Sequence, residues 1–273
     1  MTETIISSAA NPLVKRIRLL ADRKHRRREG AFVVEGIQPV WRAVEAGWEV
    51  EVLIVAPDLL ARAGPARDMV AAQEANGVRV ARLGQELFTR LSDREGPSGL
   101  AAIVRGRLGG LPDLVVRSSS VFVALHQAGN PGNLGTIIRT VDAAGGAGVI
   151  LIGDTADPFA PAAVKASMGS LFGVGVARVP DALSFFDWAR AHGVRVLATS
   201  GRADRDHWSA RYEPPLAILL GSEGDGLPGD LLDRADQRIR IPMTGTAESL
   251  NLAVAASVML YEVQRSALGG DGG

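Results

Sequence analysis

Cysteine is absent from the 273-residue chain. That excludes disulfides, zinc–cysteine sites, iron–sulfur clusters and every Cys nucleophile. No unbroken apolar run approaches the roughly 18 residues of a membrane-spanning helix, although mean hydropathy is +0.12. The opening stretch, MTETIISSAANPLVKR, lacks the basic patch and apolar segment of a secretory leader, so a cytoplasmic location is expected. Also missing are a Gly-x-x-x-x-Gly-Lys-Ser/Thr phosphate loop, a Gly-x-Ser-x-Gly elbow and a His-Glu-x-x-His pair. The four histidines (His25, His126, His192, His207) stand alone, and no carboxylates fall at metal-ligand spacing, so no metal is expected. Lysine is scarce: Lys15, Lys24 and Lys165 are the only ones, and arginine carries nearly all the positive charge.

What is present is unevenly distributed. The net charge is +0, with 30 basic and 30 acidic residues. Yet Asn11–Gly30 holds Lys15, Arg16, Arg18, Arg23, Lys24, Arg26, Arg27 and Arg28 against Asp22 and Glu29 only, a local charge of +6. Such a cluster suits phosphate contact, for which the planar guanidinium is well shaped, although a solvated helix face would look the same. Hydrophobic residues make up 47% of the chain, enough for real cores, and the length favours two domains.

Short apolar runs alternate with helical patterns throughout. In the first part, strands are expected at Ala31–Gly36, Val50–Pro57, Val78–Leu83 and Gly99–Gly106, with helices at Pro39–Gly47 and Ala66–Gly77. This is a small α/β domain, residues 1–106. Gly, Pro and Ser mark residues 107–120 as a linker. Beyond it, strands are expected at Val121–Leu125, Gly148–Gly153, Val174–Val179, Val194–Ser200, Leu216–Gly221 and Gln237–Met243. Helices are expected at Leu134–Ala144, Pro161–Ser170, Asp181–His192 and Asp230–Ala235. That alternation predicts a second α/β domain, residues 121–268, with a mostly parallel sheet covered on both faces. Residues 269–273, GGDGG, read as a disordered tail.

Three loops each follow a strand at its carboxyl end, where open parallel sheets bind ligands: Asn130–Thr140, Gly221–Pro228 and Ile241–Asn251. Each combines glycine, which admits close backbone approach, with small uncharged hydrogen-bonding side chains. One of them, Gly224–Gly229, matches Gly-x-Gly-x-x-Gly after a strand. A dinucleotide oxidoreductase would use such a loop, but in its first βα unit and with an acid about 20 residues on. Here it comes late, and Met243–Thr246 holds no acid.

The three segments NPGNLGTIIRTVDAAG (Asn130–Gly145), LLGSEGDGLP (Leu219–Pro228) and IPMTGTAESLNLAVAASVMLYE (Ile241–Glu262) resemble, in order and spacing, the three motifs of the SpoU/TrmH branch of the SPOUT RNA methyltransferases. NPLVKRI (Asn11–Ile17) and FVVEG (Phe32–Gly36) are similar to that family's substrate-binding extension, which has a ribosomal-protein-like fold. The resemblance implies a C-terminal trefoil knot, S-adenosylmethionine as cofactor and a homodimer packed through helices near the knot. The reaction it implies is methyl transfer to a ribose 2′-hydroxyl of RNA, ribosomal RNA in preference to transfer RNA. The lack of cysteine is consistent with it and excludes methylations in which a cysteine attacks the base.

On that resemblance the catalytic set is Arg139, Asn133, Glu223, Ser249 and Asn251. Arg139 lies six residues after Asn133, so the two need not share a helix face. Asn133 is expected to cap the helix that carries Arg139. Glu223 is expected to accept bonds from motif backbone or from Arg139, and Ser249 and Asn251 to open the last helix. A guanidinium stays protonated to about pH 12, so Arg139 is read as binding the neighbouring phosphate and polarising the hydroxyl. Gly221, Ile241, Leu250, Ser200 and Met243 are expected to meet the cofactor. Lys15, Arg16, Arg23, Lys24, Arg26, Arg27 and Arg28 are expected to contact RNA. Leu252, Ala255, Ala256 and Met259 read as core or dimer contact. The alternative is a non-catalytic RNA-binding protein of ribosome assembly with a degenerate cofactor pocket.

Overall fold

The computed structural model describes residues 5–269. They form two compact units. Residues up to Arg107 join Asp157–Gly173 in the first, and Leu108–Ala156 joins the residues from Val174 onward in the second. The expected boundaries assign Asp157–Gly173 to the C-terminal domain. Instead it returns to the first unit, where its aromatic residues complete a core. Of the expected tail, Gly269 ends the last helix and the rest lies outside the described residues.

The first unit is built on β1 (Ala31–Glu35), β2 (Val50–Val55), β3 (Arg79–Arg82) and β4 (Leu100–Arg105), in the order β1-β4-β2-β3. β1 and β2 run antiparallel to β4, and β3 runs parallel to β2. One face packs Val52, Ile54, Ala101 and Ile103 against Leu13, Val14, Leu87 and Phe88. A second aromatic group forms where Phe32 stacks on Phe159 at 4.6 Å, with Trp48 edge-on to Phe172 at 5.2 Å. Trp48 donates its indole N–H to the Phe172 carbonyl at 3.2 Å. Aromatic pairs of this kind add to simple area burial, which explains why the 157–173 segment is retained here.

The basic stretch folds as two short helices, Pro12–Leu19 and Arg23–Glu29, capped by the side chains of Asn11 and Asp22. Gly30, at φ 62, ends the second. Arg26 is only 6% exposed. Its guanidinium donates to Asp157 Oδ2 at 2.8 and 3.0 Å and to the carbonyls of Leu20 and Ala21 at 3.0 and 2.6 Å. Breaking a buried ion pair from one side leaves a desolvated charge, at a cost of about 3–5 kcal/mol. Asp157→Ala is therefore expected to destabilise the protein by that amount in urea unfolding; a loss below about 1 kcal/mol would show the pair to be solvated in practice.

The second unit holds β5 (Val121–His126), β6 (Gly148–Ile152), β7 (Val176–Val179), β8 (Arg195–Thr199), β9 (Arg205–Asp206), β10 (Leu216–Leu220) and β11 (Gln237–Arg240). Their order is β7-β6-β5-β10-β8-β11-β9, and every neighbouring pair is parallel. β6 and β10 are buried along their whole length, as strands covered on both faces must be. One face packs against Phe185, Phe186 and Trp188 of the helix Ala182–Ala191 and Leu231 of Gly229–Arg234. The helix Leu252–Gly269 packs on β10 and on the helix Pro131–Ala143. It buries Leu252, Ala256 and Met259, with Ala255 half-buried. The expected linker is not free: Leu111 joins the core, and Gly109 pairs with Ala177 beside β7.

Chain order reverses in the middle of this sheet. From β5 the chain moves outward to β6 and β7, then crosses to β8, and only later inserts β10 between β5 and β8. The carboxyl ends of β5 and β10 thus lie side by side at a switch point, where α/β sheets leave a crevice.

Candidate functional site

Two of the three predicted loops leave β5 and β10, and the third follows β11. Asn130 precedes Pro131, the first residue of its helix, and its side-chain oxygen accepts from the N–H groups of Gly132 and Asn133 at 2.8 and 3.1 Å. The cap is therefore Asn130, and the sequence expectation of Asn133 is corrected. Proline favours the first helical position because it has no N–H to lose, so the cap belongs to the residue before it. That signal stood in the sequence and identifies Asn130 directly.

Released from capping, Asn133 joins the three loops. Its amide N–H donates to Glu223 Oε1 at 3.2 Å, and its oxygen accepts from Asn251 Nδ2 at 3.0 Å. Asn251 in turn caps the last helix, accepting from the N–H groups of Ala253 and Val254 at 2.9 and 3.4 Å. Glu223 also accepts from the backbone N–H groups of Gly129 and Asn130 at 3.3 and 3.4 Å. A continuous chain of hydrogen bonds so runs from the β10 loop through the helix Pro131–Ala143 to the start of the last helix. Each amide's orientation is dictated by its neighbours: Glu223 can only accept, so Asn133 must donate to it and accept from Asn251.

Burial alone would push the Glu223 carboxyl upward. Donation from its own backbone N–H, Asn133, Gly129 and Asn130 outweighs it and holds the group below its ordinary value. With a depressed folded value, the stability these bonds contribute is complete above the unfolded carboxyl's value and is lost as pH falls through the folded one. Glu223→Gln is accordingly expected to melt below wild type at pH 7, with the gap closing under about pH 4. A gap that persists unchanged at pH 3 would show that the carboxylate is not what these donors recognise.

Gly221, the first residue after β10, sits where the loop crosses itself. A Cβ there would lie 2.1 Å from the Gly226 carbonyl carbon and 2.4 Å from the Leu227 nitrogen. The crossing is held by reciprocal backbone bonds between Ser222 and Gly226 at 3.2 Å, with Gly226 in the left-handed region at φ 69. Ser200 follows β8, and its N–H donates to the Ile239 carbonyl of β11 at 2.9 Å. Ile241 and Met243 are half-buried, and Leu250 is exposed, in the irregular segment between β11 and the last helix. The residues proposed for the cofactor are thus strung along the carboxyl ends of three adjacent strands, β10, β8 and β11.

Arg139 is exposed on the helix Pro131–Ala143, with no hydrogen bond or ion pair among the described residues. The possible contact from Glu223 to Arg139 is not made; Glu223 takes the backbone alternative. Ser249 does not open the last helix. It lies two residues ahead of the Asn251 cap, exposed.

The basic cluster divides. Lys15, Lys24, Arg27 and Arg28 are exposed, and Arg23 is half-buried. Arg26 is consumed by Asp157 and two carbonyls, which corrects its reading as an RNA contact. Arg16 is likewise committed, to Glu29 and Glu51 at 2.7 Å each. Spacing on a helix does not reveal which cations face a carboxylate brought in from elsewhere in the chain. Among the described residues no group of acids and histidines could hold a metal, and no helix is long and apolar enough to cross a membrane.

Residues 120–261 match the SpoU rRNA Methylase family, and residues 11–102 match the MRM3-like substrate binding domain. The chain is 33% identical to the 23S rRNA (uridine(2479)-2′-O)-methyltransferase of Streptomyces viridochromogenes, over 92% of this chain and 88% of that protein. It is 29% identical to the 23S rRNA (guanosine(2553)-2′-O)-methyltransferase RlmP of Bacillus subtilis, over 95% and 98%. Its fold is similar to that of the AdoMet-bound rRNA methyltransferase of Sinorhizobium meliloti, with a TM-score of 0.87 and 38% identity, covering 96% of this chain and 97% of that one.

Proposed function

The chain belongs to the SpoU rRNA Methylase family, and on that premise we propose that it transfers a methyl group from S-adenosylmethionine to a ribose 2′-hydroxyl of ribosomal RNA. The observation that carries the proposal is the bonded chain Glu223–Asn133–Asn251, which brings all three motif loops to one edge of the sheet. The non-catalytic alternative is not favoured, because relatives covering nearly the whole chain are named as methyltransferases and the similar Sinorhizobium meliloti structure has AdoMet bound.

The residues fit the cofactor. The strand-end loops offer main-chain groups and the Ser200 hydroxyl, and the glycine at 221 keeps the β10 loop folded back on itself. Gly221, Ile241, Leu250, Ser200 and Met243 would hold it. When bound, S-adenosylmethionine supplies a methyl carbon activated by a positive sulfonium. The chain's own work is to place a weak nucleophile in line and ease its proton away. Arg139, exposed and unpaired, is free to take the phosphate beside the target ribose and polarise the hydroxyl. A guanidinium withdraws electron density, and we do not assign it as the base. Asn133, Glu223 and Asn251 fix the loops around it, and Ser249, exposed ahead of the last helix, is the residue we assign to the site from the third motif. Transfer would place the donor's methyl on the ribose oxygen in exchange for the hydroxyl proton, which would pass to solvent water.

Lys15, Arg23, Lys24, Arg27 and Arg28 are the cations we assign to RNA phosphates. The insertion of β10 between two earlier strands supports a trefoil knot in residues 219–251. Val254 and Tyr261, 48% and 51% exposed on the last helix, support packing against a second copy of the chain as a homodimer. We place the protein in the cytoplasm with its substrate. Incubating it with labelled S-adenosylmethionine and separated ribosomal and transfer RNA tests the reading. Label at ribose in ribosomal RNA is expected; label confined to transfer RNA or to bases would overturn it.

A further inference from the structure

We propose that Asn130 is a positioning residue for the methyl transfer, acting through Asn133 and Glu223. The proposal rests on the reading of the site as a 2′-O-methyltransferase. Asn130 is exposed, so packing does not explain it. It holds both members of the acid–amide pair by separate groups. Its side-chain oxygen accepts from the Asn133 N–H at 3.1 Å, and its own N–H donates to Glu223 Oε1 at 3.4 Å. The same side-chain oxygen accepts from Gly132 at 2.8 Å, completing the helix cap.

The consequence follows from where the cap acts. The first turn of a helix has N–H groups with no partner inside it, and without a cap those residues fray. Asn133 is in that first turn, while Arg139 lies well inside the helix. Loss of the Asn130 side chain thus loosens Asn133 first. Once Asn133 moves, Glu223 loses one donor and Asn251 loses its acceptor. None of these bonds is made by Ser200, Gly221, Ile241, Met243 or Leu250, the residues assigned to the cofactor.

The test is steady-state methyl transfer by full-length Asn130→Ala and Asn130→Ser. Serine also caps helices, so the two variants separate capping from mere presence of an asparagine. Asn130→Ala is expected to lower kcat about 2- to 30-fold, the population shift that a lost N-cap produces, with the KM for S-adenosylmethionine unchanged. Asn130→Ser should recover most of kcat. Should the alanine variant fold poorly, Asn130→Gly serves in its place, since glycine is tolerated at caps, and it should show an intermediate loss. An alanine variant with wild-type kcat overturns the proposal. So does a loss that serine does not restore, or one in which cofactor KM rises as much as kcat falls. Failure of the wild-type protein to methylate RNA would instead sink the functional reading, so the two failures are distinguishable.

Discussion

Arg139→Ala will abolish methyl incorporation into ribosomal RNA while leaving S-adenosylmethionine binding intact. The expected loss in kcat is at least about 10²-fold, the scale seen when one preorganised donor to a developing charge is removed. The structure gives two reasons for the split. Arg139 is exposed and makes no ion pair or hydrogen bond among the described residues, so its removal breaks no such bond. It also stands on the helix after β5, whereas the residues assigned to the cofactor follow β8, β10 and β11. Calorimetry with the cofactor and a labelled-methyl assay on the same preparation check both halves. Incorporation at the wild-type rate would remove Arg139 from the mechanism. Loss of cofactor binding would move it to a different role. Arg139→Lys is a useful companion, because a point charge retains attraction for phosphate but loses the planar fork.

Gly221→Ala will weaken cofactor binding and destabilise the second unit. The added methyl would lie 2.1 Å from a backbone carbon and 2.2 Å from a backbone oxygen of Gly226. No flexible side chain stands there to yield, so the loop must open. Forcing one methylene into a packed site costs about 1–3 kcal/mol, and a clash with backbone belongs at or above the upper end. The expected outcome is a clearly lower unfolding midpoint and an S-adenosylmethionine affinity weakened by at least about tenfold, as the loop closing the site loses its crossing. Gly224, where an added Cβ meets nothing within 4 Å, is the internal control: Gly224→Ala should change neither measurement appreciably. If Gly221→Ala binds and melts like wild type, the crossing described between Gly221 and Leu227 is wrong.

Several features of this protein can be read from the chain with little loss. The second unit's strands declare themselves because parallel strands buried on both faces are continuous apolar runs, as in LAILL and GVILI. The three motif loops declare themselves because glycine and small amides cluster after those runs. Short elements escaped. β9 has two residues and no apolar signature, the helix Arg23–Glu29 is charged almost throughout, and Pro12–Leu19 is only eight residues long, so periodicity marks them weakly. The cap falls three residues before Asn133, at Asn130, where proline at the first helical position places it.

The amino-acid order alone determined the two α/β units, the identity of the strand-end loops and the chemical types within them, since local hydrophobic pattern and backbone preference act over a few residues. The three-dimensional arrangement decided which groups meet. Asn133 finds Glu223 and Asn251 from some 90 and 118 positions away. Arg26 finds Asp157 across 131, which turns an apparent RNA contact into a buried tie. The segment 157–173 leaves the catalytic sheet to finish another core. Such pairings depend on how strands are ordered and helices laid across them, and no short-range property of the chain encodes that order.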